Sequence, residues 1–416
     1  MSLPASLQPL WPVLKWLHVR SSRVLGHLYR PLSRLLGHRG VPVRATERSL
    51  VTAAADPGRV TLHPGRPEEP WVRPVTPGEP AGHWLFEGVH AATTTTPTGS
   101  AVTLPATFTL EVADGMLVGD YAATIVPGKV LDHETSTYFG VTNWRDHPIF
   151  LRPTVGRVEQ VPGTVLSLTT RGTAVNYYHF LYDSIGRLAV LEESMAGARY
   201  DAVVVPHAAR YQRELLALAG IEAPMIQPRR GHAVRADRLL VPSNPNWTLQ
   251  APPATVAWLR DRLRPSTPRP DGPRRVYITR GTKANTRRYV EEPHVRPELE
   301  RRGFVMVDPG TLRVQEQIDL FAGAEVVVAP HGAGLSNITF ASPGVRVLEM
   351  FAPSYVHLGL WAICQAVGAD YHYLVAGNDP RRPRGPGVNT GVLDDVSIEP
   401  ARMLAAVDEL LDRPAS

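Results

Sequence analysis

From residue 161 onward the sequence alternates short apolar strands with segments of helical spacing, and this rhythm restricts the chain to few folds. Near-continuous apolar runs, such as 201–206 (DAVVVP) and 325–329 (EVVVA), predict strands that are buried on both faces. Apolar residues at helical spacing separate the strands, at 176–195, 208–219, 254–263, 294–302, 314–322 and 355–367. The alternation is typical of the α/β class with doubly wound, mostly parallel sheets.

A proline-rich segment divides this pattern into two blocks. Residues 264–275 (RPSTPRPDGPRR) contain four prolines and almost no apolar side chain, which predicts a linker. We therefore expect two Rossmann-like domains, at 105–263 and 276–396, with a cleft between them. An irregular segment rich in Pro, Gly and Thr precedes them at 49–104, and a closing helix is expected within 397–416.

The N-terminal segment 1–48 has a different composition. It holds eight basic residues and one acidic residue, whereas the other 368 residues are nearly neutral, which argues against a nucleic-acid-binding body. Its leucines and valines fall on one side of a helix at about 100° per residue, with four arginines opposite and Pro31 interrupting. The apolar side consists of Leu14, Leu17, Val24, Leu25, Leu28, Leu32, Leu35 and Leu36; the arginines are Arg20, Arg23, Arg30 and Arg34. This pattern predicts contact of residues 1–40 with an anionic membrane surface, or packing on the protein itself or a partner.

Several classes of protein are excluded by what the sequence lacks. A single cysteine, Cys364, cannot form an intramolecular disulfide, and no apolar run is long enough to span a membrane. The N-terminus does not read as a signal peptide, so we expect a cytoplasmic protein, peripheral at the inner face of the plasma membrane. The sequence contains no Asp-x-Asp, HExxH or CxxC motif, so we expect no bound metal and no other cofactor.

The most specific motif follows the strand at 325–329 and reads APHGAGLSN. Glycines at such a turn let the backbone approach a ligand, and the N–H groups of the next helix favour an anion. The motif resembles a phosphate site but is neither a Walker loop nor a full dinucleotide fingerprint. An ordinary tight turn between a strand and a helix is the alternative. The candidate ligand-binding residues are His331, Gly332, Ala333, Gly334, Ser336 and Asn337.

Basic residues follow another predicted strand, at 276–280. Arg280, Lys283, Arg287 and Arg288 lie within nine residues without an intervening acid. The carboxyl end of a strand faces the ligand crevice in open α/β sheets, and arginine suits phosphate oxygens. A solvated basic loop is the alternative.

Two further positions could contribute chemistry. His179 and Asp183 are four residues apart, hence on one helical face, and could supply a general base. A surface pair without function is the alternative. Glu349 ends an apolar strand, where its carboxylate could bind the hydroxyls of a ribose or simply face water.

Together these residues resemble glycosyltransferase family 61. The resemblance runs from about 161 to 352 and rests on five motifs: NYYHFLYDS at 176–184, YITR at 277–280, Arg287-Arg288, EQIDLFAGAEVVVAPHGAGLSNITF at 316–340, and VLEMF at 347–351. The sequence departs from the family at Glu291-Glu292, where Asn-Glu is frequent.

The resemblance implies a GT-B-like fold of two Rossmann-type domains facing a central cleft, and inverting, metal-independent transfer of a hexosyl or pentosyl group. The donor would be a nucleotide sugar, often a UDP-sugar, and the acceptor a hydroxyl of a glycan, a lipid-linked molecule or another compound. We expect Asp183 to act as base with His179 orienting it or acting in its place, Arg280, Arg287, Arg288 and the HGAGL turn to bind the donor, and Glu349 to hold the ribose. A non-catalytic protein that binds nucleotide sugars or glycans on the same fold is the alternative, and a phosphatase is a weaker one.

Overall fold

The computed structural model describes residues 11–74, 94–96, 99–138, 141, 143–246, 249–263, 272–282, 286–352, 355–357, 359–376 and 394–412. Most of the predicted linker and Lys283 lie outside these residues. The described residues form two compact units, one of residues 12–74 and 92–248 and one that starts at Leu249. The boundary between the two units therefore lies before the helix at 253–263, whereas the sequence predicts it after this helix, at 264–275. This helix belongs to the second unit, where Arg260 Nη1 donates a hydrogen bond to the carbonyl oxygen of Ala341 at 2.7 Å.

The first unit contains helices α1 to α5 and strands β1 to β13. In chain order these are α1 (Trp11–Leu35), β1 (Arg44–Thr46), α2 (Ser49–Ala55), β2 (Val60–Pro64), β3 (Glu69–Pro74), β4 (Thr94–Thr96), β5 (Gly99–Leu104), β6 (Phe108–Ala113), β7 (Met116–Val118), β8 (Ala123–Val126), β9 (Val130–Asp132), β10 (Arg157–Ser167), α3 (Tyr177–His179), α4 (Gly186–Ser194), β11 (Ala202–Val204), α5 (Arg210–Leu218), β12 (Met225–Ile226) and β13 (His232–Pro242).

Strand pairing makes the first sheet mixed. Its order is β1-β9-β8-β7-β13-β10-β11-β12, with β6 on β13 and β2 on β6, while β3, β5 and β4 form a separate antiparallel sheet. The predicted parallel sheet is present in the four strands β13, β10, β11 and β12. Short turns at 119–122 and 127–129 connect β7, β8 and β9 as antiparallel neighbours, because parallel strands need longer crossovers. Strands β6 and β7 follow one another along the same edge of β13, separated by residues 114–115. The predicted irregular segment 49–104 thus contributes β2 to the main sheet.

The order of the parallel strands places a crevice at one edge of this sheet. From β10 the chain adds β11 and β12 on one side, then returns to add β13 on the other side of β10. The connections that leave the carboxyl ends of β10 and β13 therefore diverge, which is where ligands bind in open α/β sheets. The loop after β10 leads to His179 and Asp183, and the loop after β13 leads to Asn246.

The second unit is a five-stranded parallel sheet flanked by helices. Its elements are α6 (Pro253–Leu263), β14 (Arg275–Ile278), α7 (Glu292–Arg301), β15 (Phe304–Val307), α8 (Val314–Gly323), β16 (Val326–Pro330), β17 (Arg346–Phe351), α9 (Gly359–Val367), β18 (Asp370–Val375) and α10 (Pro400–Asp412). The order β15-β14-β16-β17-β18 reverses direction between β14 and β16. Arg280 follows β14 and His331 follows β16, so both lie at this second crevice.

These units confirm the predicted α/β class with parallel sheets. The core of the second unit contains apolar residues from its strands and from α7 and α10, and includes Val326, Val328, Leu348, Met403 and Val407. This core forms because runs such as EVVVA are buried on both faces of the sheet. Among the helices of the described residues, none is long and apolar enough to cross a membrane.

Candidate functional sites at the carboxyl edges of two sheets

The first site is formed by the segment after β10. The single helix predicted over 176–195 is instead α3, a π-helical turn at 180–185, and α4. The side chain of Asn176 caps the start by accepting a hydrogen bond from the backbone N–H of His179. Wide π-helical turns are frequent at functional sites, and this one contains Asp183.

His179 and Asp183 form a hydrogen-bonded pair. Nδ1 of His179 lies 2.8 Å from Oδ2 of Asp183, and Asn246 Nδ2 donates a hydrogen bond to Oδ1 of the same carboxylate at 2.7 Å. Tyr178 in turn donates from its hydroxyl to Oδ1 of Asn246 at 3.1 Å. Both carboxylate oxygens of Asp183 are therefore engaged by the protein.

The two side chains of this pair differ in their exposure to solvent. The Asp183 side chain has no exposed surface, whereas 16% of the His179 side chain is accessible. A carboxylate at Nδ1 favours the tautomer that carries its proton there, which leaves Nε2 as an acceptor. The assignment of the base to Asp183, or to His179 in its place, stays a prediction. The geometry favours His179, because Asp183 orients its imidazole through Nδ1 and the His179 side chain is the exposed member of the pair.

Arg187 is a further ionisable residue that interacts with Asp183. Its side chain is fully buried, and burial lowers the pKa of its guanidinium to about 10, opposed by the negative charge of Asp183. Arg187 and Asn246 are not among the candidate residues predicted from the sequence. Arg187 lies four residues after Asp183, a spacing that places both on one helical face, and Asn246 follows the apolar strand end at 239–242. Both signals were readable, but only the pairing of β10 with β13 brings Asn246 to Asp183.

The second site is centred on His331, directly after β16. Its Nδ1 lies 2.5 Å from Oε1 of Glu349, and Tyr371 donates from its hydroxyl to Oε2 at 2.7 Å. Glu349 is fully buried, and burial raises the pKa of its carboxyl to about 8. Burial, together with the nearby Arg287 and Arg280, holds the pKa of His331 well below its usual value.

The ribose contact of Glu349 stays a prediction, and this arrangement shows what its carboxyl contacts within the protein. Both of its oxygens are occupied by protein side chains, and no part of the residue reaches the surface. Glu349 orients the imidazole of His331, as the carboxylate behind a histidine does in many sites.

Two arginines lie beside His331. Burial and the neighbouring Arg287 lower the pKa of Arg280 to about 10, and burial also lowers the pKa of Arg287. The guanidinium of Arg287 lies 5.5 Å from the ring centre of Tyr355, and its Nε has no hydrogen-bond partner among the residues that the structure describes. Two partly desolvated cations so close together create a positive potential that favours an anion.

Gly332 allows Arg280 to come this close. A Cβ at position 332 would overlap Nη1 of Arg280, so any larger residue would displace the guanidinium. The Nε of Arg280 donates to the carbonyl oxygen of Thr286, which fixes the side chain against the turn. The segment Ala333–Phe340 then continues as a 3-10 helix at the position of the predicted short helix.

Other predicted donor-binding residues have structural partners. Arg288 pairs with the buried Asp395 at 3.2 Å and donates to the carbonyl oxygen of Thr282 at 2.7 Å. Asn337 donates to Gln317 Oε1 at 2.8 Å and is fully buried. Arg288 and Asn337 therefore hold loops in place. Ser336 is also fully buried, and its hydroxyl makes no hydrogen bond within the described ranges.

The departure at Glu291-Glu292 is also structural. Glu292 accepts hydrogen bonds from the hydroxyls of Thr279, at 2.7 Å, and Tyr277, at 3.2 Å, and so braces the end of β14. Glu291 accepts from the hydroxyl of Ser397 at 2.6 Å. Over the described part of the chain, no three His, Cys, Asp or Glu side chains are grouped so as to hold a metal ion.

The chain is thus an α/β protein with a candidate site at the carboxyl edge of each of its two main sheets. The first site contains His179 and Asp183, and the second contains His331 and Glu349 beside Arg280 and Arg287. The model of the family Glycosyltransferase 61 matches residues 177–348, which supports the resemblance to glycosyltransferase family 61. The match includes both sites apart from Glu349, Tyr355 and Tyr371, and it supports glycosyl transfer in general.

The chain also shows a distant likeness to a solved structure. Among solved structures, the E. coli heptosyltransferase WaaC with ADP aligns at 11% identity, covering 60% of this chain and all of that chain, with a TM-score of 0.27. A likeness at that score has no bearing on function. Among curated proteins, none matches the sequence.

Proposed function

We propose that this protein is an inverting glycosyltransferase that needs no metal and uses a nucleotide-sugar donor, specifically a UDP-sugar. The sugar passes to a hydroxyl group of a glycan or of a lipid-linked acceptor. The match to the family model supports glycosyl transfer in general. The finer assignment is carried by one observation: two half-buried arginines, Arg280 and Arg287, lie beside the glycine turn at the crevice of the second sheet.

The second unit is suited to bind the diphosphate of the donor. The leaving nucleoside diphosphate gains negative charge as the bond between the anomeric carbon and the phosphate oxygen breaks. Arg280, Arg287 and the backbone N–H groups of Gly332–Gly334 would stabilise that charge without a metal. A neutral His331, oriented through Nδ1 by Glu349, can donate from Nε2 to a phosphate oxygen.

The first unit is suited to activate the acceptor. We propose that Nε2 of His179 takes the proton of the acceptor hydroxyl as its oxygen attacks the anomeric carbon. Asp183 would stabilise the imidazolium that forms, because its carboxylate lies 2.8 Å from Nδ1. A single displacement of this kind inverts the anomeric configuration.

A comparison of two variants tests both assignments. We expect His179→Ala and Asp183→Asn to abolish transfer while the affinity for the donor, measured by calorimetry, stays within about twofold. Full transfer activity in either variant would remove that residue from the mechanism. Donor binding is identified beforehand by screening nucleotide sugars for thermal stabilisation in EDTA, since a ligand of the folded state raises its apparent stability.

The same assay distinguishes an enzyme from a binding protein. A transferase of this type should release UDP slowly from its donor by hydrolysis in EDTA, and the His179→Ala variant should lose this activity. A protein that binds the nucleotide sugar without releasing UDP, with any acceptor, would contradict the proposed catalysis.

We also propose that the enzyme works in the cytoplasm, at the inner face of the plasma membrane, where lipid-linked acceptors are made. This location is consistent with the one cysteine, which is unpaired and buried, and with the basic N-terminal helix. Fractionation of cells that express the full chain tests it: the protein should sediment with inner membranes and be released by high salt.

A further inference from the structure

The helix α1 presents its apolar side to solvent. Residues of the stripe predicted from the sequence are among the most exposed apolar residues described: Val24 is 60% exposed, Leu28 62% and Leu35 83%. Leu14, Leu17 and Leu32 on the same side are also exposed. An amphipathic helix that only packs on its own protein turns this side inward, so α1 is oriented the opposite way.

The polar side of the helix faces the first unit. Arg23 forms a bidentate pair with Asp146, at 2.8 and 3.0 Å, and Gly26 lies against Phe150. Near the other end, the buried Ser33 donates from its hydroxyl to the carbonyl oxygen of Val41. At about 100° per residue, Arg23, Gly26 and Ser33 lie roughly opposite the exposed leucines. The helix is thus held by one side and free to bind a partner with the other.

The charges of the helix indicate the kind of partner. Residues 11–35 contain five basic residues and no acidic one. Arg20 is exposed and lies 4.7 Å from the ring centre of Trp16, which is itself 55% exposed. Arginine and tryptophan beside an apolar stripe are suited to the headgroup region of a bilayer, where the arginine side chain reaches anionic phosphates.

We propose that α1 docks the protein on an anionic bilayer, with its exposed apolar stripe inserted among the headgroups and acyl chains. The occupant is a lipid surface rather than a second copy of the chain, because two copies of so basic a helix would repel each other. This docking goes beyond the proposed transfer reaction and does not depend on it.

Vesicle sedimentation of the full chain tests the proposal. The vesicles contain phosphatidylcholine with about one third phosphatidylglycerol, and pure phosphatidylcholine vesicles serve as the neutral reference. We expect wild-type protein to sediment with the anionic vesicles and much less with the neutral ones. Leu28→Glu should lower the partition coefficient at least about tenfold, because a charge replaces an inserted apolar side chain.

The neighbouring residue provides a matched control. His27→Glu makes the same change of charge at an exposed position about 100° around the helix, outside the stripe. It should lower the partition coefficient by less than about threefold. Val24→Ser combined with Leu28→Ser removes apolar surface without altering charge and should also weaken binding. All three positions are exposed, so circular dichroism should show wild-type folding in each variant.

Three results would overturn the proposal. One is wild-type protein that stays in the supernatant with anionic vesicles. Another is equal loss of binding in Leu28→Glu and His27→Glu, which would leave net charge alone as the determinant. The third is a concentration-dependent dimer, seen by sedimentation velocity and lost in Leu28→Glu, without any vesicle binding; that outcome would assign the stripe to a second copy.

Discussion

His331 and Glu349 are 18 residues apart in sequence, yet Nδ1 of the imidazole lies 2.5 Å from Oε1 of the carboxyl. They meet because β16 and β17 are parallel neighbours, with Ala329 opposite Glu349, and the backbone N–H of His331 donates to the carbonyl oxygen of Met350. Burial favours the neutral form of both groups, raising the pKa of Glu349 to about 8 and lowering that of His331. At neutral pH a protonated Glu349 can donate to Nδ1, which leaves the proton of His331 on Nε2 for a ligand.

The first prediction concerns the pH dependence of stability. The pKa of Glu349 is about 8 in the folded protein and near 4.5 when exposed, so between these values the folded state holds a proton that the unfolded state has lost. The stabilisation from this group is complete below about pH 4.5 and is lost as the pH rises toward 8. In urea denaturation, the unfolding free energy of the wild type should therefore fall from about pH 5 to pH 8 relative to Glu349→Gln.

Glu349→Gln also serves to separate orientation from charge. Its amide can still donate to Nδ1 of His331, so donor affinity should remain near that of the wild type, whereas Glu349→Ala should weaken it about tenfold or more. Equal pH slopes of unfolding in the wild type and Glu349→Gln would show that the carboxyl is ionised in the folded protein.

The second prediction concerns Gly332. Its replacement by alanine should push the guanidinium of Arg280 out of its place and weaken nucleotide binding about tenfold, because a charge-assisted contact is lost. Gly272→Ala is the control, since a Cβ at position 272 meets no atom within 4 Å and its backbone is not left-handed. Calorimetric titration with UDP checks both variants, and unchanged affinity in Gly332→Ala would mean that Arg280 binds from a different position.

The third prediction separates the two arginines that flank the same loop. Arg280→Ala should weaken binding of the nucleotide about tenfold to a hundredfold, with little loss of stability. Arg288→Ala should instead lower stability and leave nucleotide binding nearly unchanged. The substitution removes the ion pair between Arg288 and the carboxylate of Asp395, whose side chain is 2% exposed. We expect a loss of about 2–4 kcal/mol in unfolding free energy, measured by denaturant titration, and a UDP affinity within about threefold of the wild type. A large loss of UDP affinity in Arg288→Ala would show that Arg288 contributes to the donor site.

The sequence predicted the α/β class and most strands because burial on both faces leaves a readable pattern, as in EVVVA before His331. It also located the clusters at 280–288 and 331–337 by their position after strand ends, and the pair His179 and Asp183 by its helical spacing. It could not assign roles within a cluster. The exposure of His179 but not Asp183, and the partners of Arg288 and Glu349, depend on contacts between segments distant in sequence.

The sequence pattern also did not determine which side of the amphipathic helix α1 faces the protein. The leucine stripe of residues 14–36 predicts a helix, and the structure contains one that continues through Pro31. The orientation of the stripe is determined by the opposite side of the helix, where Arg23 pairs with Asp146, more than a hundred residues later in the sequence. A mixed sheet was missed in the first unit for a related reason, since short strands such as Met116–Val118 carry too few residues to show a period.

The fourth prediction concerns Asn246, which the sequence did not indicate. Asn246 Nδ2 donates to Oδ1 of Asp183 at 2.7 Å, so Asn246→Asp replaces a donor with a second carboxylate. The two carboxyl groups should then share a proton, because ionising both groups at this distance is energetically unfavourable. We expect kcat to fall at least about tenfold and the acidic limb of the pH–rate profile to move to higher pH, with KM for the donor little changed. Asn244→Asp, two residues earlier, is the matched control and should leave the profile in place. If both variants shift the profile equally, or neither does, Asn246 has no part in orienting the His179–Asp183 pair.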